Sequence, residues 1–338
     1  MNHPRLVESM SKPEFYPHKP DSVELIQTHI SFIFIAGDLV YKVKKAVDFG
    51  FLDFTTLGKR KYYCDEEVRL NKRFAPEVYL NVVGIIEDKE GNMQLRNGNN
   101  IVEYAVEMKK ISEDRMLYRL LEAGKLTDNA IMRVGKYLAR VYRNIPSNDR
   151  SRAFGLLDVI STNVIENFDQ TRKYIGGPVS REAFDTIESW SISFMEKNSV
   201  LFDRRIQQDH IKDCHGDLHL QHVCIEDKNI VIFDCIEFNE RFRFGDVASD
   251  VAFLSMDFDY NGNRKLGNTF VNAYIEESGD ATLLDVLPFY KVYRAVVRAK
   301  VTSFMLDDDG LDDAARQNAF QGAKRYYDLA YEYVTHEN

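Results

Sequence analysis

The chain has 338 residues, of which 44% are apolar and 12% aromatic, enough to fill more than one core and too apolar for an intrinsically disordered protein. A formal charge of -9 and an isoelectric point near 5.5 argue against a nucleic-acid partner, whose phosphates require a basic stripe. Four cysteines (Cys64, Cys214, Cys224 and Cys235) are too few for a disulfide framework, residues 1–20 hold no leader-like apolar run, and no later window spans a membrane; a cytoplasmic location without a membrane partner is expected.

No fixed-period repeat or low-complexity linker marks a boundary, so the division is read from a change of pattern near residue 110. Residues 1–20 read as an N-terminal extension. Residues 32–35 and 39–43 are β-rich runs flanking Ala36-Gly37-Asp38, a tight-turn sequence. Residues 59–74 place Tyr63, Val68, Leu70 and Phe74 among charges and stop at Ala75-Pro76, as an amphipathic helix would. Strand-like runs follow at 78–86 and 101–108, separated by the turn-rich Glu90-Gly91-Asn92 and Asn97-Gly98-Asn99-Asn100. The expected order is strand, strand, helix, strand, strand over 21–108.

From 114 to about 205 the pattern is helical, with Met116, Leu117, Leu120 and Leu121 on one face and Ile131, Val134, Leu138 and Val141 repeating at three and four. A β interruption at 223–225 and 230–233 flanks Glu226-Asp227-Lys228-Asn229, and helical patterning resumes through Phe253 to the end. The fold class is therefore α+β, with a small β-rich part carrying one long helix and a larger, mainly helical part over 109–338.

Residues 213–250 are dense in histidine and aspartate and set among strands and tight loops, where chemistry usually sits. Asp217 lies in the loop entering the hairpin and Asp234 follows its second strand, so folding the hairpin is expected to return Asp234 towards Asp217. Two such carboxylates suit phosphoryl transfer: one orients or deprotonates the attacking hydroxyl, the other holds magnesium. Taken alone, either aspartate also reads as a turn or cap residue.

His215-x-Asp217 with an aspartate seventeen residues later resembles the catalytic and metal-binding pair of aminoglycoside phosphotransferases and their kinase-like relatives. Asp246-Val247-Ala248-Ser249-Asp250-Val251-Ala252 is similar to the helix that follows the metal loop in that family. The resemblance covers about residues 21 to 335 and is nearest to uncharacterised bacterial aminoglycoside-phosphotransferase-like proteins, many with a second, P-loop kinase domain; this chain is expected to be the kinase-like half alone. It implies a two-lobed protein-kinase-like fold using ATP and Mg2+. In the catalytic loop Asp217 would be the base and His215 its brace, Asp234 would hold the metal, and Asp246 and Asp250 would be structural.

Upstream, Val40-Tyr41-Lys42-Val43 resembles the family's third strand, making Lys42 the phosphate lysine with Lys44 and Lys45 as rivals, and Glu67, in register with Leu70 and Phe74, its carboxylate in preference to Glu66. Adenine would rest on the backbone of the connecting segment from Glu107 to Lys110, Met108 included. A Walker-type glycine loop is absent, which leaves Thr28 and Ser31 of the turn Thr28-His29-Ile30-Ser31 to cap the phosphates. His222 stands where the family has a metal-binding asparagine and would be a metal ligand in its place, with Glu237, three residues past Asp234, as an expected compensating ligand.

The acceptor is expected to be a small-molecule hydroxyl, and two cues to its charge disagree. Asp257, Asp259 and Asp307-Asp308-Asp309 suit a cation, whereas Arg294 and Arg298, one turn apart on a helix, suit an anion. Two other readings stay open: a nucleotide-binding pseudokinase, favoured by His222 and the missing glycine loop, and a zinc protein using Cys214, His215, His219, His222, Cys224 and Cys235.

Overall fold

Alternation along the first strands decides which side chains are buried. In a computed structural model that describes residues 3–96, 98–226 and 229–336, β1 (Val23–Gln27), β2 (Ser31–Ala36) and β3 (Leu39–Lys44) pair antiparallel. Asn97 of one expected turn and Asp227 and Lys228 of another lie outside the described residues. Gly37 takes a φ of 65° in the two-residue turn between β2 and β3, a conformation that costs glycine least. Phe32, Phe34, Ala36, Tyr41 and Val43 then share one face of the sheet, and Lys42 and Lys44 share the other.

Contacts group the chain into two units: residues 1–124 with 221–240, and 125–220 with 241–338. In the first, β4 (Tyr79–Glu87), β5 (Met93–Leu95) and β6 (Ile101–Lys109) complete a six-stranded sheet of order β1-β2-β3-β6-β4-β5. The edge strands β1 and β5 have weak alternation and were not expected. Part of the segment read as an extension joins this core: helix α1 (His3–Met10) buries Leu6 and Met10 against the Phe34 face, and Tyr16 packs on Tyr41 with ring centroids 5.0 Å apart. Helix α2 (Leu57–Asn71) covers the opposite face; its N-cap Thr56 accepts from Lys59 N–H, and Pro76 bars continuation.

Within the same unit, Val223–Glu226 and Asn229–Ile232 pair as a hairpin, and Cys224 and Val231 join an apolar cluster with Cys64, Val78, Tyr79 and Val106. The segment that follows this hairpin, residues 233–240, therefore belongs to the sheet unit.

The second unit is built around the helix Val247–Tyr260, which is almost wholly buried and packs on helices Arg264–Ser278 and Leu283–Phe304. Helix Asp128–Asn144 meets Arg264–Ser278 at Gly135, where an added Cβ would lie 2.6 Å from the Phe270 carbonyl oxygen, so only glycine allows that approach. A two-stranded ribbon of Ile211–Asp213 and Phe244–Asp246 leads on one side into His215 and on the other into the Asp246 cap of the central helix. Among the described residues no helix is long and apolar enough to cross a membrane.

Candidate active-site residues

Lys42 and Lys44 are two residues apart on β3, so both face α2. Glu67, fully buried on α2, meets both: Lys42 Nζ is 2.8 Å from its Oε1 and Lys44 Nζ 2.6 Å from its Oε2. Lys42 also reaches Asp234 Oδ1 at 2.7 Å, and Lys44 bonds Glu237 Oε1. Glu66, one position along, turns outward to Arg69, and Lys45 donates to the Thr28 carbonyl. The two candidate lysines thus divide the contacts rather than compete for them.

Three carboxylates surround two ammonium groups here, an excess of one negative charge when all five ionise. Burial opposes the charge on Lys42, but Asp234, Glu67 and Glu237 outweigh it and hold its pKa well above the ordinary lysine value. Lys44 is raised in the same way, against its own burial, by Glu237 and Glu67. For Glu67 burial pushes upward, yet the two lysines bring it below the usual value; for Glu237 burial prevails over Lys44 and the pKa is raised.

Asp234 takes a left-handed φ of 63°, which aspartate tolerates better than most residues. Two unanticipated residues hold it there: its N–H donates to Tyr79 Oη at 3.1 Å, and the next N–H, of Cys235, donates to Asn71 Oδ1 at 2.9 Å. Asn71 in turn donates to the Glu67 carbonyl, so one turn of α2 fixes both the lysine partner and the aspartate loop. The spacing Glu67, Asn71 on one helical face was the available signal. His222 Nε2 lies 3.6 Å from Asp234 Oδ2, with its ring edge-on to Phe233.

In the helical unit, the carboxylate of Asp250 accepts the N–H groups of His215 (2.8 Å) and Gly216 (3.1 Å) and the hydroxyl of Tyr142. Arg294 closes the far side, donating to the Gly216 carbonyl and to Ser249 Oγ, both at 2.9 Å. His215 is buried, and its Nδ1 accepts the Asp217 N–H at 3.3 Å, so the imidazole braces the loop from within. Asp217 itself is part-exposed, with His219 Nε2 at 3.5 Å from its Oδ2. Asp246 caps the central helix and accepts from Nε and Nη2 of Arg205 at 2.8 and 2.7 Å. Tyr142 and Arg205 gave no motif signal beyond lying in helical runs.

Several expectations need correction. Arg294 serves the loop and Arg298 donates to Tyr326 Oη at 3.4 Å, so they are not a paired anion site. The acidic cue also weakens, because Asp259 pairs with Lys291 at 2.8 Å, Asp307 with Lys173 at 2.7 Å, and Asp257 accepts the Leu220 N–H. The Thr28 hydroxyl accepts from Ser31 N–H within its own turn, and Ser31 points inward, fully buried; neither side chain is offered as a phosphate cap. Met108 lies inside β6 between Val40 and Tyr79, because the strand runs on to Lys109; the connecting segment starts later than expected.

Of the cysteines in the zinc reading, Cys224 packs in the apolar cluster that also holds Cys64, which was not part of that reading. Burial pushes the Cys64 and Cys224 thiols up to about 12, and Cys214 Sγ donates to the Gly245 carbonyl at 3.3 Å.

No protein-family model matches the chain. Uncharacterised proteins of Mycobacterium tuberculosis and Mycobacterium bovis are 30% identical over 279 residues, which is 82% of this chain and 54% of theirs; the chain spans about half the length of the curated relatives it matches. Solved structures align along nearly the whole chain. Amicoumacin kinase, in complex with AMP-PNP, Ca2+ and Ami, has a TM-score of 0.57 at 13% identity, covering 97% of this chain and 93% of that one. A choline/ethanolamine kinase family protein from Mesorhizobium loti scores 0.53 at 12% identity (98% and 99% covered). The GDP complex of aminoglycoside 2'-phosphotransferase-IIIa scores 0.53 at 13% (97% and 99%). The chain shares the fold of these small-molecule kinases and phosphotransferases.

Proposed function

We propose that the protein is an ATP-dependent phosphotransferase that moves the γ-phosphoryl group to a hydroxyl of a small molecule. The observation that supports this most is the buried Lys42–Glu67 pair with Asp234 on the same ammonium: a lysine held extended by one carboxylate beside a second, part-exposed one. Lys42 would hold the nucleotide phosphates, and the backbone leaving β6 after Lys109 would take the base. Nucleotides in the amicoumacin kinase and aminoglycoside phosphotransferase structures support the same assignment.

The residues around Asp234 fit a divalent cation. Their charge is in negative excess, and the Asp234 carboxylate is 41% exposed beside His222. Asp234 and His222 would hold the ion, which when bound neutralises phosphate charge. Glu237, bonded to Lys44 and buried, anchors the loop instead. Asp217 would accept the proton of the attacking hydroxyl while Asp250 and Arg294 keep its loop in place. Its neighbour His215, bonded inward, positions the base and does not touch the acceptor.

The test is ATP consumption over a panel of sugars, amino alcohols and nucleosides. Asp217→Ala should lower kcat by about 10²- to 10⁴-fold, the usual cost of losing a general base, with an unchanged far-ultraviolet circular dichroism spectrum. An Asp217→Ala variant as active as the parent would sink the assignment. Nucleotide binding without turnover under any cation would instead favour the pseudokinase reading, for which His222 beside Asp234 speaks.

A further inference from the structure

We propose that His222 and Asp234 make the cation site selective for manganese over magnesium; this rests on the phosphotransferase reading above. The atoms concerned are His222 Nε2 and Asp234 Oδ2, 3.6 Å apart. Between these two atoms that is longer than a hydrogen bond. Two ligand atoms with bonds of roughly 2.1 Å to one ion stand about 3.0 to 3.5 Å apart, so a shift of a few tenths of an ångström brings the pair onto a shared cation.

Both groups are positioned in advance of any ion. The His222 carbonyl accepts the Phe233 N–H at 3.0 Å and its ring packs edge-on to the Phe233 ring at 5.8 Å, which ties the imidazole to the end of the hairpin that Asp234 follows. Asp234 is tied through Tyr79, and Lys42 engages its Oδ1, the oxygen that does not face His222. The cluster's surplus negative charge favours a divalent cation of any kind. What discriminates is the nitrogen. Magnesium demands near-ideal octahedral oxygen coordination and gives up water reluctantly, whereas manganese shares the preference for carboxylate and phosphate oxygen but, as the first member of the transition-metal series for mixed nitrogen and oxygen sites, tolerates an imidazole beside them. An uncharged imidazole nitrogen in place of an oxygen donor therefore penalises magnesium more than manganese.

The experiment uses the full chain with AMP-PNP and compares Mn2+ with Mg2+ by titration calorimetry, together with pulsed electron paramagnetic resonance of the Mn2+ complex. Wild type should bind nucleotide with manganese at least about tenfold tighter than with magnesium, and the Mn2+ signal should show coupling to an imidazole nitrogen. His222→Asn should remove that coupling and shrink the manganese preference to about twofold or less, with magnesium binding gained; His222→Ala should weaken both ions. Because the resonance signature is read on wild type, the proposal stays testable even where a variant folds poorly. Nucleotide binding with no nitrogen coupling and equal preference in wild type would overturn the manganese assignment alone. Absence of nucleotide binding with either ion would overturn the phosphotransferase reading, and this inference with it.

Discussion

In the sheet unit, the carboxylates of Glu67, Asp234 and Glu237 face the ammonium groups of two lysines on long stems, and these four contacts are side chain to side chain. In the helical unit, Asp250 is occupied by two backbone N–H groups, a phenol and an arginine that also holds the backbone. Ion pairs of the first kind can be exchanged for a ligand's charges without moving the chain. Bonds of the second kind define where the chain runs, so breaking them leaves buried donors unsatisfied. The difference predicts a sheet unit whose charges can be altered at little cost to the fold and a helical unit whose charges secure the loop at His215 and Gly216.

The largest test is Asp250→Ala. It strands the N–H groups of His215 and Gly216 and leaves Arg294 short of its partner, so a loss of about 3–5 kcal/mol is expected by urea unfolding. Lys42→Met should cost visibly less stability, because Lys44 still neutralises Glu67, yet weaken nucleotide affinity roughly tenfold, about 1.4 kcal/mol. Equal stability losses in the two variants would erase the distinction. Asn71→Ala sharpens it from within the sheet unit: it removes a side-chain acceptor from the buried Cys235 N–H, and about 1–3 kcal/mol should be lost, as for a backbone-holding residue.

What was legible in the sequence follows the same line. Lys42, Glu67, Asp217 and Asp234 stand in short segments that resemble motifs of the aminoglycoside phosphotransferases, so they could be named as candidates before any fold was known. Asn71 and Tyr79 were not, since their bonds to the Asp234 loop span 164 and 155 residues and exist only once α2 and β4 are packed. Arg294 was misread for a related reason. Its spacing to Arg298 is a helix-face property, but its role depends on which backbone carbonyl that face meets. The N-terminal residues hid because α1 is short, and it and Tyr16 find their partners, Phe34 and Tyr41, only on a sheet formed later in the chain.

The smallest effect distinguishes two members of the sheet cluster by the sign of their pH dependence. For Glu67, burial raises the pKa but Lys42 and Lys44 prevail and lower it below 4.5, so the unfolded chain takes up the proton first as pH falls. Its contribution is complete above about pH 4.5 and drains as pH drops through the folded value. Glu237 is the reverse: burial, opposed by Lys44, raises its pKa above 4.5, so the folded chain protonates first and stability from this group declines as pH rises through the folded value. Urea midpoints from about pH 4 to about pH 7 should therefore show Glu67→Gln losing part of the acid-side drop and Glu237→Gln losing part of a decline above pH 4.5. Parallel profiles for the two variants would mean that the cluster titrates as one unit, with both lysines shared equally rather than divided between Asp234 and Glu237.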